Sequence, residues 1–424
     1  MGTTILAPVS LAIFIGTVLI GIKKKLNLGI LAISVAFVLG LFVTVDGGTM
    51  SSPALKSLPV LDLFPFSIFW MTLSVSLMLN VGAANGTFDL VIKKMVTLAR
   101  GRRALIPVYV FIVVFVACSV GAGTIGVVVL LCTIASTIAK DQDIDPVFML
   151  LSVLTASTVA IGSPMATVGI ICNSFSQELW GQSIAPSYMY LRGATMAVLS
   201  FAVLYVLFRG WKLERRPILK TEQVPKLNSK QILTLGGLIA FAILALGFGF
   251  DMGLIAFVIT AVLLLLDCAE GKKVIADVPW ETILLITGMC MLIGVVQAAG
   301  GITLLTNVLS KLMNEYTVKP LYSILGSLLS MVSTITGVVL PTMIPTIPDI
   351  AAQTGTNPFA LVTVLAFGGN VTCASPISSM GAIALGIMST NSQWDSAKLF
   401  KRMFIYSFIL MGVAALWAAL GIAG

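Results

Sequence analysis

Two long apolar segments of this chain are each interrupted by a proline set among small and polar residues. The first interruption reads Gly162-Ser163-Pro164-Met165-Ala166-Thr167-Val168-Gly169, and the second Ala374-Ser375-Pro376-Ile377-Ser378-Ser379-Met380-Gly381. They lie 212 residues apart in a chain of 424. Proline offers no N–H to a helix and clashes with the preceding turn, so each segment is expected to break there. Composition says what surrounds the breaks. Hydrophobic residues make up 58% and charged residues 10% of the chain, where a soluble domain carries about 25% charged. Mean hydropathy is +1.07. The expected fold class is an all-α polytopic membrane protein. Broken backbone at bilayer depth is tolerated only where it is buried in protein or lines a cavity. Paired breaks in matching places of two halves point to a transporter binding site.

About 20 apolar residues span a bilayer, which sets the expected order of elements. Helices are read at 4–22, 27–45 and 64–84, followed by an amphipathic interfacial stretch, Phe88–Arg100. Residues 104–139 are apolar but interrupted at Ser119-Val120-Gly121-Ala122-Gly123-Thr124, leaving two halves of about 15 residues. Such halves are too short to cross singly, so a re-entrant hairpin is expected. The broken helix 146–175 and a helix at 189–208 complete a first unit, 1–208. A basic linker, 209–230, leads to a second unit, 231–424. That unit holds helices at 231–248, 252–267 and 279–297 and an interfacial stretch at 301–316. A second hairpin at 319–351 turns at Ser333-Thr334-Ile335-Thr336-Gly337, before the broken helix 358–388 and a last helix at 403–422.

Landmarks recur between the units at offsets of 211 to 215: Pro65 with Pro279, Gly126-Val127-Val128 with Gly337-Val338-Val339, and Asp145-Pro146 with Asn357-Pro358. Each unit has five spanning helices plus one hairpin, so the expectation is about ten transmembrane helices and two re-entrant hairpins. Five is odd, so the repeats have inverted topology. The basic residues agree. With the N-terminus outside, all of the 25 except Lys56, Arg192, Lys311 and Lys319 fall in cytoplasmic segments. Both termini are then expected on the outer side. The run Thr4–Ile22 is followed, not preceded, by lysines, as suits a first membrane helix rather than a signal peptide.

Other classes fall away. The net charge of +8 comes without a basic helix interleaved with aromatics, which excludes nucleic acid as a partner. The six cysteines are scattered without CxxC pairing and read as small apolar filler. Histidine is absent and no lysine or arginine lies deep in a span. Asp251, Asp267 and Glu281 sit at helix ends, and Asp349 near the end of a hairpin. A carboxylate proton relay and acid–base or metal hydrolysis within the membrane are therefore not expected, nor is an enzyme. No cofactor is expected.

The four interruptions offer neutral polarity instead. Each creates a half-helix N-terminus with free N–H groups and roughly +0.5 charge, which suits an anion. Carbonyls and Ser/Thr/Asn oxygens opposite suit a hard cation such as sodium, the expected coupling ion. The candidate substrate residues are Ser119, Gly121, Gly123, Thr124, Ser163, Pro164 and Thr167 in the first half. In the second they are Ser333, Thr334, Thr336, Asn370, Ser375, Pro376, Ser378 and Ser379. Sodium candidates are Ser119, Thr124, Gly162, Ser333, Thr336 and Ala374. Any one of these hydroxyls can equally bond its own helix.

The order of hairpin, broken helix and interfacial arm, given twice, resembles the ion transporter superfamily, in particular the divalent anion:sodium symporters. The Ser-Pro-x-x-x-x-Gly breaks, Ser163-Pro164…Gly169 and Ser375-Pro376…Gly381, look most like the MatC-type dicarboxylate carriers. Where the symporters carry Ser-Asn-Thr at the hairpin tips, this chain reads Gly121-Ala122-Gly123-Thr124 and Ser333-Thr334-Ile335-Thr336. The resemblance implies an elevator mechanism, with hairpins and broken helices moving against a scaffold in a homodimer. The expected function is import of a small organic anion, malonate or a C4-dicarboxylate, with sodium across a bacterial inner membrane. The large membrane subunit of a tripartite, binding-protein-dependent transporter, an anion channel and a sulfonate or sulfate carrier are the alternatives.

Overall fold

The computed structural model describes residues 3–24, 26–45, 48–49, 59–88, 90, 103–119, 125–160, 162–213, 226–244, 248, 250–332, 334–389 and 394–424. Among these the architecture is helical, apart from a two-residue antiparallel pairing of Thr44–Val45 with Gly48–Thr49. The first half contains α1 (Thr3–Lys24), α2 (Leu28–Gly40), α3 (Phe66–Ala84), α4 (Ile106–Ala117), α5 (Ile125–Asp141), α6 (Pro146–Ala160), α7 (Thr167–Trp180) and α8 (Pro186–Leu207). The second half contains α9 (Ser229–Ala242), α10 (Met252–Leu265), α11 (Trp280–Ala298), α12 (Gly301–Ser310) and α13 (Val318–Val332). It continues with α14 (Ile335–Thr354), α15 (Pro358–Val371), α16 (Ser379–Ser389) and α17 (Ser396–Ala419).

Local chemistry starts these helices where the sequence pattern leads one to look. Asp145 accepts the N–H groups of Val147 and Phe148 at 2.9 and 3.2 Å. Asn357 accepts that of Phe359 at 2.9 Å. Each is followed by a proline in the first turn, where a missing N–H costs nothing. Asn27 and Asp251 cap α2 and α10 in the same manner.

Packing repeats between the halves. Helix α2 lies on α11 and α10 on α3; α4 lies on α6 and α13 on α15; α8 lies on α6 and α17 on α15; α5 meets α16 and α7 meets α14. The two broken helices form the centre. Every residue of α6 from Val147 to Ala160, and of α15 from Ala360 to Val371, is buried. A helix apolar all round has no solvent or lipid face to keep, which puts it in the core. In contrast α8 and α17 expose Leu191, Val198, Val206, Ile405, Phe408 and Leu416, faces suited to lipid. At the α2–α11 crossing the two main chains touch. A Cβ on Gly29 would collide with the backbone of Leu284, and one on Gly288 with that of Gly29. Small residues of this kind let membrane helices approach closely.

Three differences from the sequence reading stand out. The second arm of the later hairpin is a 20-residue helical run, α14, which continues to Thr354 where the hairpin was expected to end at 351. It passes through a π turn at Ile335–Val339 and a 3₁₀ turn at Ile344–Thr346, and so accommodates its prolines without stopping. By length and composition, Ser187–Leu207, Ile335–Thr354 and Ser396–Ala419 are each able to cross a membrane. The last helix begins at Ser396 rather than 403, because Asp395 caps it through the N–H groups of Ala397 and Lys398. The stretch expected at 301–316 is helical only to Ser310 and turns 82° away from α11. Its counterpart at 88–100 lies, but for Phe88 and Leu90, outside the described residues.

Candidate functional site

Both proline breaks are built alike. In the first, Gly162 and Ser163 turn back on the end of α6, donating to the carbonyls of Val159 and Ala160 at 3.0 Å each. Ser163 Oγ accepts from Met165 N at 3.2 Å, and Ser163 O from Ala166 N at 3.0 Å. In the second, Ser375 N donates to Thr372 O at 2.9 Å, Ser375 Oγ accepts from Ile377 N at 3.4 Å, and Ser375 O accepts from Ser378 N at 3.0 Å. Serine supplies the turn and proline prevents the helix from continuing. Six residues beyond each serine stands a glycine pressed on the serine's own carbonyl. A Cβ at Gly169 would overlap Ser163 O, and one at Gly381 would overlap Ser375 O.

The breaks differ at the start of the following helix. Ser378 Oγ accepts the N–H of Gly381 at 3.1 Å and so caps α16. The equivalent residue before α7 is Ala166, which has no side chain to do this. The N–H groups at the start of α7 therefore lack the side-chain acceptor that their counterparts have.

The halves meet through Asn370. Its carboxamide donates to the carbonyl of Thr158, 212 positions earlier, which is the spacing of the two breaks. Asn370 Oδ1 accepts from Cys373 Sγ at 2.9 Å. Cys373 also meets Ser330 Oγ at 3.2 Å, and Thr372 Oγ1 donates to Ser327 O at 2.8 Å. These bonds tie the α13 arm to the second break along a buried polar seam.

Of the expected site residues, Gly121, Gly123, Thr124 and Ser333 lie outside the described residues, as does the side chain of Ser379. Ser119 closes the first arm. Its Oγ donates to Phe115 O at 2.6 Å and accepts from Tyr190 O–H at 2.5 Å, while its carbonyl accepts from Ser163 Oγ. Ser119 and Ser163 thus meet, but both hydroxyls are committed to the fold: that of Ser163 to the Ser119 carbonyl, that of Ser119 to Phe115 O and Tyr190. The same holds for Ser378, whose O–H faces the carbonyls of Cys373 and Ser375, and for Asn370. Thr167 opens α7, and Thr334 precedes the π turn that contains Thr336. Gly337 of that turn packs on Leu285 of α11.

What remains open is a cavity of about 310 Å³ beside the first break. Its lining includes Gly162, Pro164 and Gly169 of the break, Asn173 and Gln177 of α7, and Asp251. Small-molecule sites begin at about 300 Å³. Gly162 and Pro164 were expected there. Asn173 and Gln177 were not, although with Gly169 they recur every four residues and so share one face of α7.

With this geometry the chain has the polytopic helical fold of membrane transporters. It superimposes on the YdaH transporter of Alcanivorax borkumensis with a TM-score of 0.62 at 14% identity, over 97% of this chain and 98% of that one. Residues 1–163 match the family described as dicarboxylate carrier protein MatC N-terminus, the family that the Ser-Pro breaks resemble. No curated protein sequence matches the chain.

The Tyr190–Ser119 bond makes a small, testable contribution. Tyr190→Phe removes one hydrogen bond, worth ~0.5–1.5 kcal/mol, and should weaken apparent substrate affinity roughly two- to tenfold. Tyr316→Phe, at an exposed tyrosine, should leave affinity unchanged in the same uptake assay.

Proposed function

We propose that this protein is a secondary transporter that takes up a small dicarboxylate, malonate or a C4-dicarboxylate, together with sodium. The observation that carries the reading is the pair of matched breaks, bridged between equivalent positions by the Asn370–Thr158 bond. A contact between repeat-equivalent residues is what a two-fold axis running through a central site requires. The reciprocal packing of α2 on α11 and α10 on α3 favours two inverted repeats. The match of residues 1–163 to the MatC carriers favours a dicarboxylate.

A dianion entering a low-dielectric site loses hydration that something must replace. No lysine or arginine lines the cavity. The compensation then comes from the uncapped start of α7, from hydroxyl and amide donors, and from bound sodium. The carbonyls of Gly162 and Ala374, at equivalent places in the two breaks, are the candidate sodium ligands. In the elevator reading, α4–α7 and α13–α16 move together against a dimeric scaffold that includes α2, α3, α10 and α11. The basic residues favour both termini outward in a bacterial inner membrane, and the cavity residues 183–185 and 250–252 then lie on the outer side.

Uptake into proteoliposomes tests this. A sodium gradient should drive succinate or malonate accumulation, and an ionophore that collapses only a proton gradient should have little effect. Uptake that survives sodium removal but stops with the proton ionophore would sink the coupling. In intact cells, Ser183→Cys should be labelled by an impermeant thiol reagent and Ser229→Cys protected.

A further inference from the structure

Resting on that carrier reading, we infer that Asn173 and Gln177 set the preference of the cavity for a diacid over a monoacid, by binding the second carboxylate. The first carboxylate sits at the break, against the start of α7. Helical side chains lean back toward the N-terminus, so Asn173 overhangs Gly169 and Gln177 overhangs Asn173. Gly169 has no side chain and lies against the carbonyl of Ser163, so only main chain, of the helix and of the break, lies beneath the Asn173 amide.

The orientation of that amide is fixed by its neighbour. Asn173 Oδ1 accepts the main-chain N–H of Ile184 at 2.9 Å. A main-chain N–H needs an acceptor, so the carboxamide oxygen faces Ile184 and the NH₂ edge is left to the cavity. An NH₂ edge recognises an anionic oxygen. Four residues of helix rise about 6 Å, and the backward lean shortens the gap between amide and helix start. That gap matches the two ends of a three- or four-carbon diacid, whereas a monoacid would reach only one end. Asp251 is the one charged side chain in the lining, and its Oδ1 is held by the N–H of Leu254 at 2.8 Å.

The test uses near-isosteric changes on the full-length protein. Asn173→Asp keeps the acceptor for Ile184 N and replaces the donor edge by a carboxylate oxygen. Gln177→Glu does the same at an exposed position and covers the case in which the first variant fails to fold. Binding of malonate, succinate and propionate is read by thermal stabilisation in detergent. Asn173→Asp should weaken both diacids by about tenfold or more, and Gln177→Glu by roughly threefold. Propionate binding and the unliganded melting temperature should be unchanged. If the parent binds the diacids and neither variant alters them, the inference falls while the carrier reading stands. Equal weakening of propionate and the diacids would also overturn it, since the amides would then not address the second carboxylate. If the parent binds neither diacid, the carrier reading itself fails and takes this inference with it.

Discussion

Gly169→Val and Gly381→Val are each expected to abolish uptake, and the corresponding alanine variants to reduce it by about one to two decades. The cause is steric and the same at both positions. Each glycine lies against the carbonyl oxygen of the serine that begins its break, so even a methyl group would overlap main chain. Backbone cannot step aside as a flexible side chain can. The half-helix must shift away from the turn, which at the first break lines the cavity and at the second sets the register of the matching break. Overpacking of this kind costs ~1–3 kcal/mol for a methylene and more for a branched group. Gly386→Ala is the control. It lies on the same half-helix as Gly381, with nothing within 4 Å of an added Cβ. Initial uptake rates per folded protein, normalised by size-exclusion chromatography, separate the outcomes. Parental rates in Gly381→Ala would mean that the close approach does not matter to the site.

Those breaks were legible in the sequence because their causes are local. Proline's missing N–H, the serine turn and the following glycine all act within eight residues, and they recur at one spacing. The caps at Asp145 and Asn357 are local in the same sense. Partners chosen across the fold were not legible. Ser119, Ser163 and Asn370 each answer a main-chain or side-chain group brought in from elsewhere, which their local sequence does not name. Proline does not always end a helix here. Pro341, Pro345 and Pro348 each fall in the first turn of a short segment, where the missing N–H is tolerated. The run Ile335–Thr354 therefore continues as π, α and 3₁₀ turns in succession. Asn173 and Gln177 were passed over because they follow the break on an ordinary helical spacing. Only the cavity beside them gives them a role.

Asn370→Leu should lower the melting temperature and cut substrate affinity together, a coupled loss that follows from where its bond lies. In an unbroken helix the carbonyl of Thr158 would accept the N–H four residues on, that of Gly162. The break sends that N–H to Val159 O instead. Thr158 O is left without its helical donor in a fully buried helix, and Asn370 of the other half supplies one. Leucine is of similar size but has no donor, and it also removes the Asn370 Oδ1 acceptor of the Cys373 thiol, leaving it the contact with Ser330. An unsatisfied buried carbonyl costs ~1–3 kcal/mol, up to about two decades in an equilibrium constant. Part of that loss falls on folding and part on the alignment of the two breaks, because this one side chain joins them. Ser310→Ala, which removes an exposed hydroxyl bond within a single helix, should change neither quantity. Thermal melts in detergent and succinate uptake, measured on the same preparations, decide the matter. A variant that melts lower but binds as the parent does would make the bond a staple of the fold alone. One that does neither would leave the two halves joined by packing, with no part for Asn370 in holding the breaks in register.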